Sequence, residues 1–420
     1  MDYLLFIGYL FLFSWLITRI RLFHQSGLSD PQLIILFLLK VIAGIFYGWV
    51  GIYYGYFAYM YDTWGYHNAS ILEQHLFYSN PQEYFTNLFH SSYESGYGRL
   101  FDSTNSYWND LKANIFIKLL SVFDFFSFGN YYINVIFYCF ITLTGPVMTF
   151  RIMFDIYPQK KMLLLVACFL VPSFLYWTSG IHKDGITYTA ICIILYHLYF
   201  GLKEGKISLR RWAYLLTGAL ILLAMRNYIL VVLAPALLAW YLSKRFPGQL
   251  KTIFAATYLT GAILFFSLKY ISPSLDFPAA VANKQEAFMK LEGGSGIRVR
   301  PLTPTVKGFI QNAPQAIINS TLRPFPSDIK HMLSLGVALE NGIFIVLILF
   351  NIFYHTKTPV REKAFIWFCI FFSCSILMTI GYTVNFQGAI VRYRSIIIPF
   401  LITPLLAGID WERIKKQIIK

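Results

Sequence analysis

The chain has 420 residues, of which 57% are hydrophobic, 19% aromatic and only 13% charged, roughly half the charged share of a soluble domain. That excludes a soluble globule, because about 240 apolar residues fill ten or eleven membrane spans at about 20 residues each. The formal charge of +15 is spread through short loops between apolar runs and forms no single stripe, which argues against a nucleic-acid face.

Long apolar runs such as 335–353 and 364–380 exclude a β-barrel, whose strands alternate over short segments. The expected fold is all-α: one integral membrane domain over 1–420, polytopic, with about eleven transmembrane helices and a range of 9–13. Residues 1–22 are apolar from the third position, without a basic start or a small-residue cleavage site, so they read as a retained first span. Further spans are expected near 32–58, 130–152, 162–178, 185–202, 211–225, 228–243, 251–270, 334–354, 364–382 and 394–409. The pair at 211–225 and 228–243 is short and meets at Arg226-Asn227-Tyr228, which leaves open whether it crosses twice. The five cysteines lie in apolar runs and read as small core residues.

Basic residues alternate with the spans: Arg19/Arg21, Arg151/Lys160/Lys161, Lys203/Lys206/Arg210/Arg211, Lys244/Arg245/Lys251, Lys357/Arg361/Lys363 and Arg413/Lys415/Lys416/Lys420. Short-loop Lys and Arg mark the cytoplasmic side. The expected location is therefore a cytoplasmic (inner) membrane, with the N-terminus extracytoplasmic and the C-terminus inside. Two long outer segments follow, 59–129 and 271–333, with short outer turns at 179–184, near 226 and at 383–393. In the first segment, Ile71, Leu72, His75 and Leu76, then Ile115, Ile117, Leu119, Leu120, Val122 and Phe123, recur at helical spacing. They predict amphipathic surface helices roofing a cavity. Three glycines in 291–297 predict a mobile loop.

Cations on the outer side run against the positive-inside bias, and charges in tight turns or span ends tend to be functional. Lys183, Arg226, Arg392 and Arg394 stand there and point to an anionic ligand such as a phosphate or pyrophosphate, held bidentately by Arg and as a point charge by Lys; snorkelling to headgroups is the structural alternative. Asp62 at the membrane boundary, followed one turn on by Tyr66 and His67, reads as a partly desolvated general base or as a helix cap. The turn from Trp177 to Gly185 packs His182, Lys183 and Asp184 together, either as part of a site or as a Lys183–Asp184 ion pair capping the next helix. Arg392 and Arg394 flank one tyrosine, on one side of the chain if it is extended and about 160° apart if it is helical, and one of them rather than both is expected to be the ligand contact. Arg323 lies in a proline-rich turn, and Glu340 sits inside a span, where a carboxylate needs a cavity or a cation such as Arg323 or Arg226.

Three motifs, Asp-x-x-x-Tyr-His at 62–67, Pro-Ser-x-x-x-Trp-x-Ser-Gly-x-x-Lys-Asp at 172–184 and Arg-Tyr-Arg-x-x-x-x-Pro at 392–399, together resemble the GT-C superfamily of integral-membrane glycosyltransferases. The resemblance covers most of the chain by layout and few residues by identity. It implies an inverting hexosyl or pentosyl transferase that takes a sugar from a polyprenyl-phosphate-linked donor and passes it to a lipid-linked saccharide or other cell-envelope acceptor on the outer face. Carried over, the catalytic acid matches Asp62 and the lipid-phosphate cations match Lys183 or the Arg392/Arg394 pair. The family's aspartate usually follows the first span, whereas here a further span precedes it. Asp184 stands without a second acidic partner, which leaves dependence on Mg²⁺ or Mn²⁺ open. A weaker resemblance is to O-antigen and exopolysaccharide polymerases, which use polyprenyl-pyrophosphate-linked repeat units and in which the arginines would carry catalysis. A flippase without bond chemistry would show inverted repeats, which the sequence lacks. Sugar, acceptor, lipid chain length and oligomeric state are not legible.

Overall fold

The computed structural model describes residues 2–54, 62–91, 107–356 and 360–418. The principal helices are α1 (Asp2–Ile17), α2 (Asp30–Tyr53), α3 (Asp62–Ser79), α4 (Tyr107–Ser127), α5 (Tyr131–Ile156), α6 (Pro172–Ser179), α7 (Lys183–Lys203) and α8 (Leu209–Arg245). After them come α9 (Leu250–Ser267), α10 (Phe277–Met289), α11 (Val306–Thr321), α12 (Met332–Phe353), α13 (Lys363–Thr383), α14 (Gln387–Ser395), α15 (Ile398–Ala407) and α16 (Trp411–Ile418). Among the described residues there is no β-strand.

Among the described residues seven helices are long and apolar enough to cross a membrane, and up to nine if each of two bent pairs is one span. One pair joins Pro158–Leu170 to α6 at 47°; Val171 before Pro172 is extended, as the proline ring requires of the preceding residue. The other joins α14 to α15 at 64°, with Pro399 in the first turn of α15. At 16 residues, α1 falls short of the about 20 that cross a bilayer untilted. The expected spans at 211–225 and 228–243 are the two helical halves of α8, which meet at a kink at Arg226, where φ of −148° and ψ of 77° are non-helical. α12 exposes Leu339, Ile343, Val346, Leu349 and Ile352, an apolar surface that favours lipid over water as its solvent.

The chain divides into two compact units, Met1–Met148 with Leu175–Leu230, and Thr149–Phe174 with Val231–Lys420. In the first, Lys40 is buried midway along α2. Its Nζ donates to the Thr178 carbonyl at 2.7 Å and reaches Thr178 Oγ1 and Ser179 Oγ at 3.3 and 3.4 Å. It thereby serves one orphan carbonyl and two hydroxyl oxygens at the end of α6. One turn along, Gly44 gives the room: a Cβ there would stand 2.6 Å from Val135 Cγ1 and 2.7 Å from the Ser179 oxygen.

The α3–α4 pair is held by polar side chains. Thr63, His67, Ser70 and Gln74 form the buried face of α3. Asp124 of α4, fully buried, accepts from Ser70 Oγ at 2.6 Å and from Asn134 Nδ2 at 2.6 Å, and Gln74 donates to its carbonyl at 2.8 Å. Lys118 pairs with Glu73 at the edge. The stripe expected to be the apolar face is turned outward: Leu72 and His75 are exposed, Ile71 and Leu76 half-buried.

In the second unit, Gln285 of α10 donates to the Tyr382 carbonyl at 2.9 Å and accepts from Leu302 N at 2.7 Å. The glycine-rich 291–297 stretch, expected to be mobile, is tied at its end: Ile297 N donates to Asn385 O at 2.7 Å and Gln387 N to Ser295 O at 3.0 Å.

His67 lies 3.9 Å from Asp124; burial holds its pKa below the ordinary value, with Asp124 opposing. The folded protein keeps it neutral, while the unfolded chain binds a proton below about pH 6.5. Stability from this group is therefore complete above that pH and is lost progressively as pH falls below it towards the lower pKa of the folded state. The thermal midpoint of detergent-solubilised protein should drop between pH 7.5 and 5.5, and drop less in His67→Gln.

Candidate functional site

The first unit gathers its ionisable groups at the start of α7. Gly185 permits the approach, since a Cβ there would lie 2.5 Å from the Thr178 oxygen and 2.6 Å from Tyr138 Oη. The Tyr138 hydroxyl donates to the His182 carbonyl, fixing the residue that caps α7. Asp184, one residue into the helix and fully buried, accepts from Arg226 Nη2 on Oδ1 at 2.5 Å. Its Oδ2 lies 2.8 Å from His182 Nδ1, and the other ring nitrogen, Nε2, lies 3.5 Å from Asp62 Oδ2. The break at Arg226 is where α8 delivers its guanidinium to this carboxylate.

These groups form a row from buried to exposed. Asp184 is sealed, Arg226 and His182 nearly so, and the Asp62 side chain is 54% exposed. Lys183 Nζ sits 5.2 Å from the centroid of the Tyr66 ring, a cation–π distance, and Tyr66 stands edge-on to His182. Arg226, Lys112, Asp62 and Asp184 all act on Lys183 electrostatically. His182 lies between the two carboxylates by charge proximity, without a hydrogen bond from Nδ1 to Asp184. The row can thus take a proton at its exposed end while the cations beside it hold negative charge.

Asp62, Tyr66, His182, Lys183, Asp184 and Arg226 are brought together. His67 is not among them: it faces Asp124, and His182 stands beside Asp62 in its place. Asp184 takes Arg226 and His182 as its close partners, where the sequence offered an ion pair with Lys183. Lys112 and Tyr138 were missed. The run Asn109-Asp110-Leu111-Lys112 at the start of a mostly apolar helix was the available signal for the lysine, and nothing local marks the tyrosine.

The other four candidates belong to the second unit, where protein acceptors engage them. Arg323 Nη1 donates to both Asp328 oxygens at 2.9 and 3.0 Å, and its Nε to Asn319 at 3.0 Å. Arg394 is buried and donates to the carbonyls of Ser320, Thr321 and Arg323 at 3.2, 3.4 and 3.1 Å and to Asn341 Oδ1 at 2.6 Å. It thus closes the C-terminal end of α11. Arg392, on the other side of α14, donates to Tyr393 Oη at 3.2 Å. Glu340 accepts from Ser173 N at 2.8 Å and Ser173 Oγ at 2.5 Å, with Arg394 acting on it electrostatically. The expected partners Arg323 and Arg226 are not its hydrogen-bond donors.

Among the described residues no three His, Cys, Asp or Glu side chains group closely enough to hold a metal ion. The Asp62–Asp184 row is interleaved with cations, a set suited to an anion better than to Mg²⁺ or Mn²⁺. Comparison with known protein families, characterised proteins and solved structures gives no match.

Removing one partner of a buried ion pair leaves the other charge uncompensated, at about 3–5 kcal/mol. Asp184→Ala and Arg226→Ala should each lower the thermal midpoint sharply. The double variant Asp184→Leu/Arg226→Met should recover most of the loss, which a double-mutant cycle on the purified protein measures.

Proposed function

We propose that the chain is a membrane glycosyltransferase that moves a sugar from a polyprenyl-phosphate-linked donor to a lipid-linked saccharide or other envelope acceptor on the outer face. The observation that supports it is the exposed carboxylate of Asp62, 3.5 Å from His182, with Lys183 beside it and a buried Asp184–Arg226 pair behind. In this reading the acceptor hydroxyl gives its proton to Asp62 as its oxygen bonds to the anomeric carbon. The bond from that carbon to the phosphate breaks with inversion, and the polyprenyl phosphate leaves against Lys183 and Lys112. A positioned base contributes about 10²–10⁴-fold to such a step, and fixed cations at the leaving phosphate contribute further.

The membrane arrangement belongs to the same proposal. Eleven crossings result if α1 and both halves of α8 each traverse, with the N-terminus and the α3–α4 pair on the outer side. Arg226 then meets Asp184 at the outer end of α7, while Arg210 and Arg211 at the start of α8 stay inside. Membrane-impermeant labelling of a cysteine placed at residue 418 should fail in intact cells and succeed in inverted vesicles; the reverse pattern overturns this orientation.

Asp62→Asn keeps the shape and one oxygen but removes the base. Folded protein and donor binding should persist while transfer falls about 10²-fold or more, measured with purified protein and a lipid-linked donor. Wild-type turnover in Asp62→Asn, together with inactivity of Arg392→Ala, would reject this mechanism and favour a polysaccharide polymerase acting through arginine.

A further inference from the structure

The second unit contains a cavity of about 490 Å³, within the range of ligand pockets and unused by the reading above. Its walls are three helical stripes. Asn341, Phe344, Ile348 and Asn351 follow at three- and four-residue spacing along α12. Lys363, Ile366, Ile370 and Leu377 run along α13, a distance of about 21 Å at 1.5 Å per residue. Leu401 and Leu405 of α15 form the third side. The groove is therefore long, narrow, apolar in its middle and polar at both ends.

The two ends differ. At one, Arg394 and Asn341 line the cavity, and the guanidinium Nη atoms are spent on carbonyls and on Asn341 itself. That end is a stopper. At the other, Lys363 and His355 line the mouth and are both exposed. Arg361 is exposed nearby, and Arg413 lies over the Tyr354 ring at 5.6 Å. Of the neighbouring acids Glu362 is paired with Lys244 at 2.6 Å, while Asp410 caps the next helix through the backbone N–H of Arg413 at 3.1 Å and Glu412 is exposed, so these two keep their charge. Arg361, Lys363 and Arg413 still outnumber Asp410 and Glu412, which leaves the mouth net positive beside an apolar channel.

We propose that this groove binds an anionic phospholipid, one acyl chain lying along α12 and α13 as far as Arg394 and the headgroup phosphate held at Lys363 and His355. Basic pockets between membrane helices on the side of the basic loops suit anionic headgroups. A neutral headgroup would leave Lys363 without a counter-charge, and a chainless anion would leave the apolar walls unused. The site is separate from the Asp62 row, and its test does not read transferase activity, so either proposal can fail alone.

Trp367 lines the same groove and supplies the probe. Full-length protein is reconstituted in phosphatidylcholine nanodiscs doped with phosphatidylglycerol or phosphatidylcholine brominated on the acyl chain. The Trp367 signal is taken as the difference between the natural protein and Trp367→Phe. Brominated phosphatidylglycerol should quench this signal at lower mole fraction than brominated phosphatidylcholine. Lys363→Gln should weaken that preference about fivefold, and Ile348→Phe/Leu401→Phe should abolish quenching by filling the channel. Equal quenching by the two lipids overturns the headgroup assignment, and undiminished quenching in the filled variant overturns the chain assignment. Displacement of brominated phosphatidylglycerol by an equal mole fraction of polyprenyl phosphate would give the groove to the isoprenoid and overturn the phospholipid. Should a variant fail to fold, the comparison of the two lipids on the natural protein still decides.

Discussion

The first unit is organised by one buried charge. Asp184 has no access to water, and an isolated carboxylate in that position would be too costly to keep ionised. Arg226 offsets that cost at 2.5 Å, and α8 gives up helical geometry at that residue to supply it. Gly185 and Tyr138 then fix where α7 begins, and the start of α7 fixes His182. Asp62 acquires its neighbour only through this sequence of contacts, so the exposed end of the row owes its position to the sealed end.

The second unit handles its buried cation differently. Arg394 is set against carbonyl oxygens and an amide at the end of α11, and the carboxylate of Glu340 is satisfied by Ser173. Dipoles there do much of the work that a formal ion pair does in the first unit. A guanidinium is well suited to it, since its planar fork of donors serves several carbonyls at once while a lysine serves them only as a point. The same arginine is the stopper of the apolar groove, so the end of one helix and the limit of one cavity are defined by a single side chain.

Helical class and most apolar segments were legible because long hydrophobic runs state their own length. Arg226, Lys183 and Asp184 were legible as charges in places where charge is expensive. What the sequence could not show was which partner each charge takes. His67 stands one turn from Asp62 yet faces Asp124, because α3 presents its polar stripe to α4 and carries Leu72 outward. His182, 120 positions away, takes the place beside Asp62 through tertiary contacts that no local pattern encodes. Arg323 and Arg394 look alike as outer cations, and only the positions of Asp328 and the α11 carbonyls reveal how fully they are engaged. Pro172 and Pro399 fall inside expected spans that read as uninterrupted in the sequence, and the bends of 47° and 64° there are seen only in the structure.

Lys40 has a consequence for how the protein is made. A lysine near the centre of a membrane helix opposes insertion by about 2.5–3.5 kcal/mol, which the apolar remainder of α2 outweighs. Its acceptors, Thr178 and Ser179, are synthesised about 138 residues later. At 5–20 residues per second, the ammonium waits on the order of ten seconds in the bilayer before its ligands exist. During that interval α2 is an incomplete element whose lysine has yet to meet the acceptors it uses in the folded protein at the end of α6. The polar contacts of the first unit are thereby ordered in time, since α2 can complete those of Lys40 only after α6 has been made.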